Sequence, residues 1–434
     1  METRAADLRG SEPGGRPSRR SMGLADVLLM AWFVICSGAV FPLLEVGSGV
    51  ALSDESMARL RWLLVPNVIA APLLALARAR VIVHLLLRNP ALVLLVLWIW
   101  MSVLWSLDPA LSARRALSFT TNTIIACFVV SYFRPEAIVR DLILVATTLM
   151  LLSVGFAAFF PDLAFMPDGD LRGVFTHKNG LGALLVVAAM ALAVGARGGL
   201  VSPLGVAGGF ATIVALLVPT GSATAMMLVL LIAVLQIPVA IARLPRRLAT
   251  IGLTFALLGG LSLALPLLFG RNRIFMATGR DPTLTGRTEL WAFVRGMIDQ
   301  RPLHGYGYHA FFDLPGLQEH LLALVGWPAP NAHNGYLEVL LGLGAVGLVL
   351  TLTFLLRAFV RAVRCLIDDP KSVPACFAFF GLGVYLFRNF SESDLLDQSG
   401  LSWIIAVLAA LMVSARPLAV PRTAAPRSVE QAWA

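Results

Sequence analysis

Chemistry-bearing residues gather where a long polar loop runs into an apolar helix, at Ala332-His333-Asn334-Gly335-Tyr336-Leu337-Glu338. An imidazole with its ordinary pKa near ~6.5 is neutral enough at physiological pH to take a proton from a hydroxyl. A histidine at a helix entry also serves to order the junction, and residue type leaves both roles open. Upstream, Arg280-Asp281-Pro282-Thr283-Leu284-Thr285-Gly286-Arg287 supplies two guanidinium groups, whose fork of donors matches phosphate oxygens. Leu290, Trp291, Val294, Met297 and Ile298 then recur at helical spacing, an amphipathic pattern suited to lying on a membrane. That helix should stop at Arg301-Pro302, because the residue before proline is pushed out of helical conformation. The turn that follows, Leu303-His304-Gly305-Tyr306-Gly307-Tyr308, has aromatic edges suited to sugar contact.

Two further clusters carry charge. Arg172-Gly173-Val174-Phe175-Thr176-His177-Lys178-Asn179-Gly180 sets three cationic or titratable groups beside glycines that let an anion approach the backbone. The same run would also serve as a basic helix entry in contact with lipid phosphate. Trp105-Ser106-Leu107-Asp108-Pro109, with Ser112, Arg114 and Arg115, is either an interfacial anchor or a receiver for an anionic lipid diphosphate. The turn Pro219-Thr220-Gly221-Ser222-Ala223-Thr224-Ala225 reads as a helix cap.

The elements that must hold these residues are set by composition. A chain of 434 residues that is 58% hydrophobic and 14% charged, with a mean hydropathy of +0.82, is an integral membrane protein. Apolar runs of bilayer-crossing length recur without period-two alternation, so the fold class is all-α and polytopic. About twelve spans are expected, at 24–44, 62–77, 91–105, 116–133, 142–160, 181–194, 201–219, 223–241, 248–269, 336–360, 373–387 and 401–413. They divide the chain into an N-terminal tail at 1–22, nine spans within 23–269, a long loop at 270–335, three spans within 336–415 and a disordered tail at 416–434. With both tails cytoplasmic, 21 of the 34 Lys and Arg residues fall inside, and six of the remaining 13 sit in the one long loop. That bias is the positive-inside signature, and it places His177, His304, His309, His320 and His333 in the outer compartment.

Several functions are thereby excluded. The net charge of +9 sits in small groups at span ends rather than in a basic stripe with aromatics, so no nucleic-acid partner is expected. No G-x-x-x-x-G-K-[ST] or G-x-G-x-x-G run occurs in a cytoplasmic loop, which argues against an ATP-driven pump. Cys36, Cys127, Cys365 and Cys376 lack the spacing of a disulfide frame or a zinc site.

In their order along the chain, Gly173-Val174-Phe175-Thr176-His177-Lys178-Asn179, the 280–287 run with Leu290-Trp291, Pro302 with Gly305-Tyr306-Gly307, and the 332–338 run resemble the O-antigen ligase and polymerase superfamily. The likeness extends over roughly 105–397 and is nearest to the exopolysaccharide, succinoglycan-type branch. It implies a GT-C-like fold in a bacterial inner membrane, with one long periplasmic loop. The activity implied is an inverting glycosyltransferase working at the periplasmic face with no cofactor and no metal. Its donor would be an oligosaccharide on undecaprenyl diphosphate within a membrane lipid surface, and a flippase and chain-length regulator are implied partners. By the same resemblance Arg287 would hold the diphosphate and His333 would act as base, with Trp291, Tyr306, Asn334 and Glu338 as substrate contacts. The family places a second arginine where this chain has Ser222-Ala223-Thr224, so Arg172, Lys178 or Arg280 would supply that cation beside His177. A ligase that passes polymer to a lipid A core is the near alternative. A secondary transporter is the distant one, disfavoured because charged residues lie at span ends rather than near mid-membrane.

Overall fold

The structure, a computed structural model, describes residues 22–39, 65–241, 287–327 and 329–415. Apart from one isolated bridge between Phe165 and Leu171, regular structure among them is helical. The helices are α1 (Leu24–Ser37), α2 (Val65–Ala77), α3 (Ala79–Arg88), α4 (Pro90–Met101), α5 (Pro109–Tyr132), α6 (Pro135–Phe159), α7 (Lys178–Arg197), α8 (Pro203–Leu217) and α9 (Ala223–Ile241). They continue as α10 (Arg287–Gln300), α11 (Leu317–Val325), α12 (Gly335–Asp368), α13 (Val373–Arg388) and α14 (Leu401–Ala415). The chain is an all-α polytopic membrane protein.

Helix starts follow from local chemistry. Pro90, Pro109, Pro135 and Pro203 each open a helix, where a missing N–H costs nothing. Asp108 accepts from Leu111 N at 2.9 Å and Ser202 accepts from Gly205 N at 3.2 Å, each satisfying a free donor of the first turn. The Asp108 cap starts α5 early, so Ser112, Arg114 and Arg115 lie in its first turns rather than in a loop before a span at 116.

Of the hydrophobic window in α7, 78% is buried by protein, against 33% in α6 and 22% in α9. Hence α7 lies at the centre with α13 and α14, while α6 and α9 turn most of their apolar surface to lipid, where exposure carries no penalty. Among the described residues, α6, α7, α9 and α12 are long and apolar enough to cross a membrane, and shorter apolar helices surround them. The expected second span instead continues beyond Ala77 and turns by 94° into α3, whose Val81, Val83 and Leu87 stay exposed beside Arg78, Arg80 and Arg88. The expected span at 248–269 lies outside the described residues, as does Arg280.

The apolar run of α12 is broken where the sequence looks continuous. Gly344 has φ 66° and ψ −170°, a conformation open to glycine. The break strands backbone groups away from water, and the 302–307 turn pairs them. Tyr306 N donates to Leu341 O and Gly307 N to Gly342 O, both at 2.9 Å, while Ala345 N donates to Pro302 O at 2.8 Å. Trp98 Nε1 donates to Leu343 O at 2.9 Å. Irregular backbone inside a spanning helix persists where protein supplies the partners that solvent cannot.

A Cβ at Gly344 would overlap the Leu303 carbonyl, whereas one at Gly155 meets nothing within 4 Å. Gly344→Ala should therefore cost about 2 kcal/mol or more, through strain and a lost docking turn. Its thermal unfolding midpoint in detergent is expected well below wild type, with Gly155→Ala unchanged or slightly raised.

Candidate active site

The described residues from 287 to the start of α12 build a small apolar core with that helix. Leu290 and Val294 of α10 pack with Tyr306, Phe311, Phe312, Leu321, Ala332 and Leu341. The helix expected to lie on the membrane thus buries its stripe against protein, and this fixes α10 on the start of α12. Tyr306 is 4% exposed at the centre of that core, with its hydroxyl donating to Met297 O at 2.9 Å and Arg301 over its ring at 4.7 Å. Its hydrogen-bonding capacity is taken up inside the protein.

From this platform the junction is held residue by residue. Trp291 Nε1 donates to Ala332 O at 2.8 Å, and Ala332 N donates to Glu338 Oε2 at 2.8 Å, so both backbone groups before His333 are fixed. Asn334 caps α12, accepting from Tyr336 N at 3.1 Å and Leu337 N at 3.2 Å. On the far side, the 389–394 segment closes the ring. Gly335 N donates to Asn389 O and Glu392 O, both at 2.9 Å, and Asn334 N donates to Ser393 Oγ at 3.1 Å. Arg287 Nη1 donates to Ser391 O at 2.9 Å. A Cβ on Gly335 would collide with the Asn389 amide oxygen, so only glycine permits this approach.

His333 sits within this ring at φ 46°, a left-handed conformation in which histidine is enriched among side-chain-bearing residues. Its N–H donates to Asn331 Oδ1 at 2.9 Å, and Trp327 meets its ring edge-on with centroids 5.3 Å apart. Both imidazole nitrogens are buried without a hydrogen-bond partner among the described residues. Burial first, then the nearby Arg287 guanidinium and His177, hold its pKa down at about 4. The ring is therefore neutral at physiological pH, with one lone pair and one N–H uncommitted.

The structure brings His333, Arg287, Trp291, Asn334 and Glu338 into one constellation. The second polar cluster faces it less directly. His177 caps α7, its Nδ1 accepting from Asn179 N at 3.2 Å, and burial followed by Lys178 lowers its pKa. Lys178 is neutralised by Asp170 and by Asp168 at 3.3 Å, and Arg172 Nε donates to Leu163 O at 2.9 Å. Arg115 bonds the His309 carbonyl and pairs with Asp313 at 2.8 Å, which ties α5 to the loop rather than leaving a cation for a diphosphate.

Sequence reading passed over three contributors. His309, at φ 51°, puts Nδ1 3.7 Å from Glu338 Oε1, and burial followed by Arg115 lowers its pKa to about 4. Trp327 walls the His333 ring. Ser391, Glu392 and Ser393 close the junction from a stretch whose only visible signal was its polarity between two apolar runs.

The arrangement has counterparts in known proteins. The O-antigen ligase family matches residues 208–352, which include Arg287 and His333. The exopolysaccharide production protein ExoQ of Rhizobium meliloti (strain 1021) is 27% identical over 316 residues, covering 68% of this chain and 70% of that protein.

Glu338 holds a buried N–H, so Glu338→Ala should destabilise the protein by about 1–3 kcal/mol. Glu338→Gln keeps an acceptor oxygen and is expected to recover most of that loss, read as the unfolding midpoint in detergent. An alanine variant as stable as wild type would show that Ala332 does not depend on this carboxylate.

Proposed function

The chain belongs to the O-antigen ligase and polymerase family, and we propose that it transfers an oligosaccharide from undecaprenyl diphosphate to a sugar hydroxyl during exopolysaccharide production. The observation that carries this reading is a buried, neutral imidazole with both nitrogens unclaimed, close enough to Arg287 for the guanidinium to depress its pKa. A cation beside a neutral base is what transfer from a phosphate leaving group requires. The acceptor hydroxyl gives its proton to His333 as its oxygen bonds the anomeric carbon. The bond from that carbon to the diphosphate oxygen breaks, and the electron pair leaves with the lipid diphosphate. Arg287 stabilises the charge that grows there, an effect that is large where water is excluded. Attack opposite the leaving group inverts the anomeric centre.

Position matters as much as charge in this reading. Trp291 and Glu338 hold Ala332 while the 389–394 segment holds Asn334 and Gly335, so the imidazole is fixed from both sides. Lys178 has its charge matched by two carboxylates, which favours Arg172 over Lys178 as a second cation for the diphosphate. The site faces the periplasm of a bacterial inner membrane in this reading, supported by the distribution of Lys and Arg.

The test is purified protein with a lipid-linked repeat unit. Wild type should yield a polymer ladder, and His333→Ala should lower the rate by about 10²–10⁴-fold without loss of fold. Arg287→Ala should raise the donor KM and lower kcat. Product appearing only when lipid A core is added would point to the ligase, and full activity in both variants would refute the assignment. The acid limb of kcat/KM should lie near pH 4 rather than 6.5, because the free enzyme's imidazole stays unprotonated down to that pH. The limb of kcat should move upward, since a bound diphosphate favours the imidazolium.

A further inference from the structure

Beside the 389–394 segment lies a cavity of about 390 Å³. It opens between the ends of α1, α7, α13 and α14, and its polar wall is made by Asn179, Arg388, Glu392, Asp394 and Asp397, with Phe175 beside them. All the residues of that wall except Asn179 and Phe175 come from a stretch beyond the one matched by the O-antigen ligase family, 208–352.

The wall is built rather than loose. Tyr385 Oη donates to Asp394 O at 2.7 Å, Tyr308 Oη to Leu396 O at 2.5 Å, and Asn122 Nδ2 to Gln398 O at 2.8 Å. Three side chains, from α13, α5 and the turn after α10, thus fix the backbone that presents the carboxylates. Arg388 is only 8% exposed, and its Nε bonds Asp394. Among the described residues no hydrogen bond takes either of its Nη groups, although the residue lines the cavity. Its Nη groups are therefore donors available to whatever fills the cavity.

Charge says what enters. Three carboxylates face one guanidinium, so the cavity repels the diphosphate that Arg287 would attract. Burial holds Glu392 above the usual carboxylate range and Asp397 at about 6, so neither is at ease as a bare anion there. Hydroxyl groups suit such a wall, because each donates to a carboxylate oxygen and accepts from an Nη group. Among the described residues no group of three His, Cys, Asp or Glu side chains stands at metal-holding spacing.

We propose that this cavity is the acceptor subsite, taking the hydroxyl-rich end of a neutral saccharide, with Arg388 donating to it and Glu392 and Asp397 accepting from it. The proposal rests on the glycosyl-transfer reading above and adds where the second substrate sits. Glu392 connects the two halves. Its carbonyl receives the Gly335 N–H beside His333, and its carboxylate both lines the cavity and lies within electrostatic reach of Arg287. A saccharide seated there would have the loop that orders the base as its own wall.

The experiment uses the full-length protein in detergent with two substrates, the lipid-linked repeat as donor and the same repeat, released from its lipid by mild acid, as soluble acceptor. Ala183 lines the cavity and carries no polar group, so Ala183→Leu narrows it without touching the charges. Arg388→Lys keeps a cation for Asp394 and loses the fork. Each variant should raise the KM for the free repeat about tenfold while leaving the donor KM within twofold of wild type. An unchanged acceptor KM in Ala183→Leu, or a rise confined to the donor, would overturn the proposal. So would loss of acceptor saturation on adding a chelator, which would mark the cavity as a cation site. A wild-type enzyme that consumes no donor at all would instead count against the transfer reading itself.

Discussion

Backbone N–H and C=O groups that cannot reach water must be paired by protein, and the geometry of this site descends from that requirement. Two places on α12 break the helical ladder. At Gly344 the stranded groups of Leu341, Gly342 and Ala345 are met by the 302–307 turn. At the helix start, the Gly335 N–H is met by carbonyls of Asn389 and Glu392. Each pairing drags a piece of distant chain onto α12, one from the long loop and one from the connection between α13 and α14. The second of these pairings lies two residues from His333, so the position of the imidazole follows in part from hydrogen bonds it does not make.

The same burial that enforces pairing sets protonation. An imidazole shielded from water and near a guanidinium loses its proton readily, which is why His333 is held near a pKa of about 4. His309 is driven the same way by burial and Arg115, so its 3.7 Å approach to Glu338 brings a neutral ring rather than an imidazolium to that side chain. Glu338 is thus tied mainly to the Ala332 N–H. It orders the segment before the base rather than forming an ion pair with the second histidine.

Much of the local structure was legible because its causes are local. Arg301-Pro302 ended α10 as its proline required, and the apolar stripe through Leu290 and Val294 gave the correct face. What that face packs against was not legible, since a stripe that meets lipid and one that meets Phe311 and Leu321 have the same period. The break at Gly344 was hidden for a related reason. An apolar run containing glycines reads as a continuous span unless the turn that pairs its stranded groups is known, and that turn lies some forty residues upstream. The ion pair of Arg115 with Asp313 is hidden in the sequence because the two residues are remote from each other along the chain. The roles read for Arg287 and His333 come from the family resemblance, whereas the closure of the junction by Ser391 and Ser393 depends on tertiary contacts that no spacing announces.

The 388–394 stretch then serves two kinds of chemistry. Its carbonyls hold Arg287 and Gly335, next to a neutral imidazole. Its carboxylates, with Arg388, line a cavity hostile to phosphate. One segment thereby borders both the place read for an anionic lipid head and the place proposed for a hydroxylated chain end. It also makes the two interdependent, because any shift of Glu392 moves both the hydrogen bond that holds Gly335 and the wall that faces the cavity. A substitution at Glu392 therefore acts on both substrates together, whereas changes at Arg388 or at Ala183, on α7 across the cavity, reach only one of them.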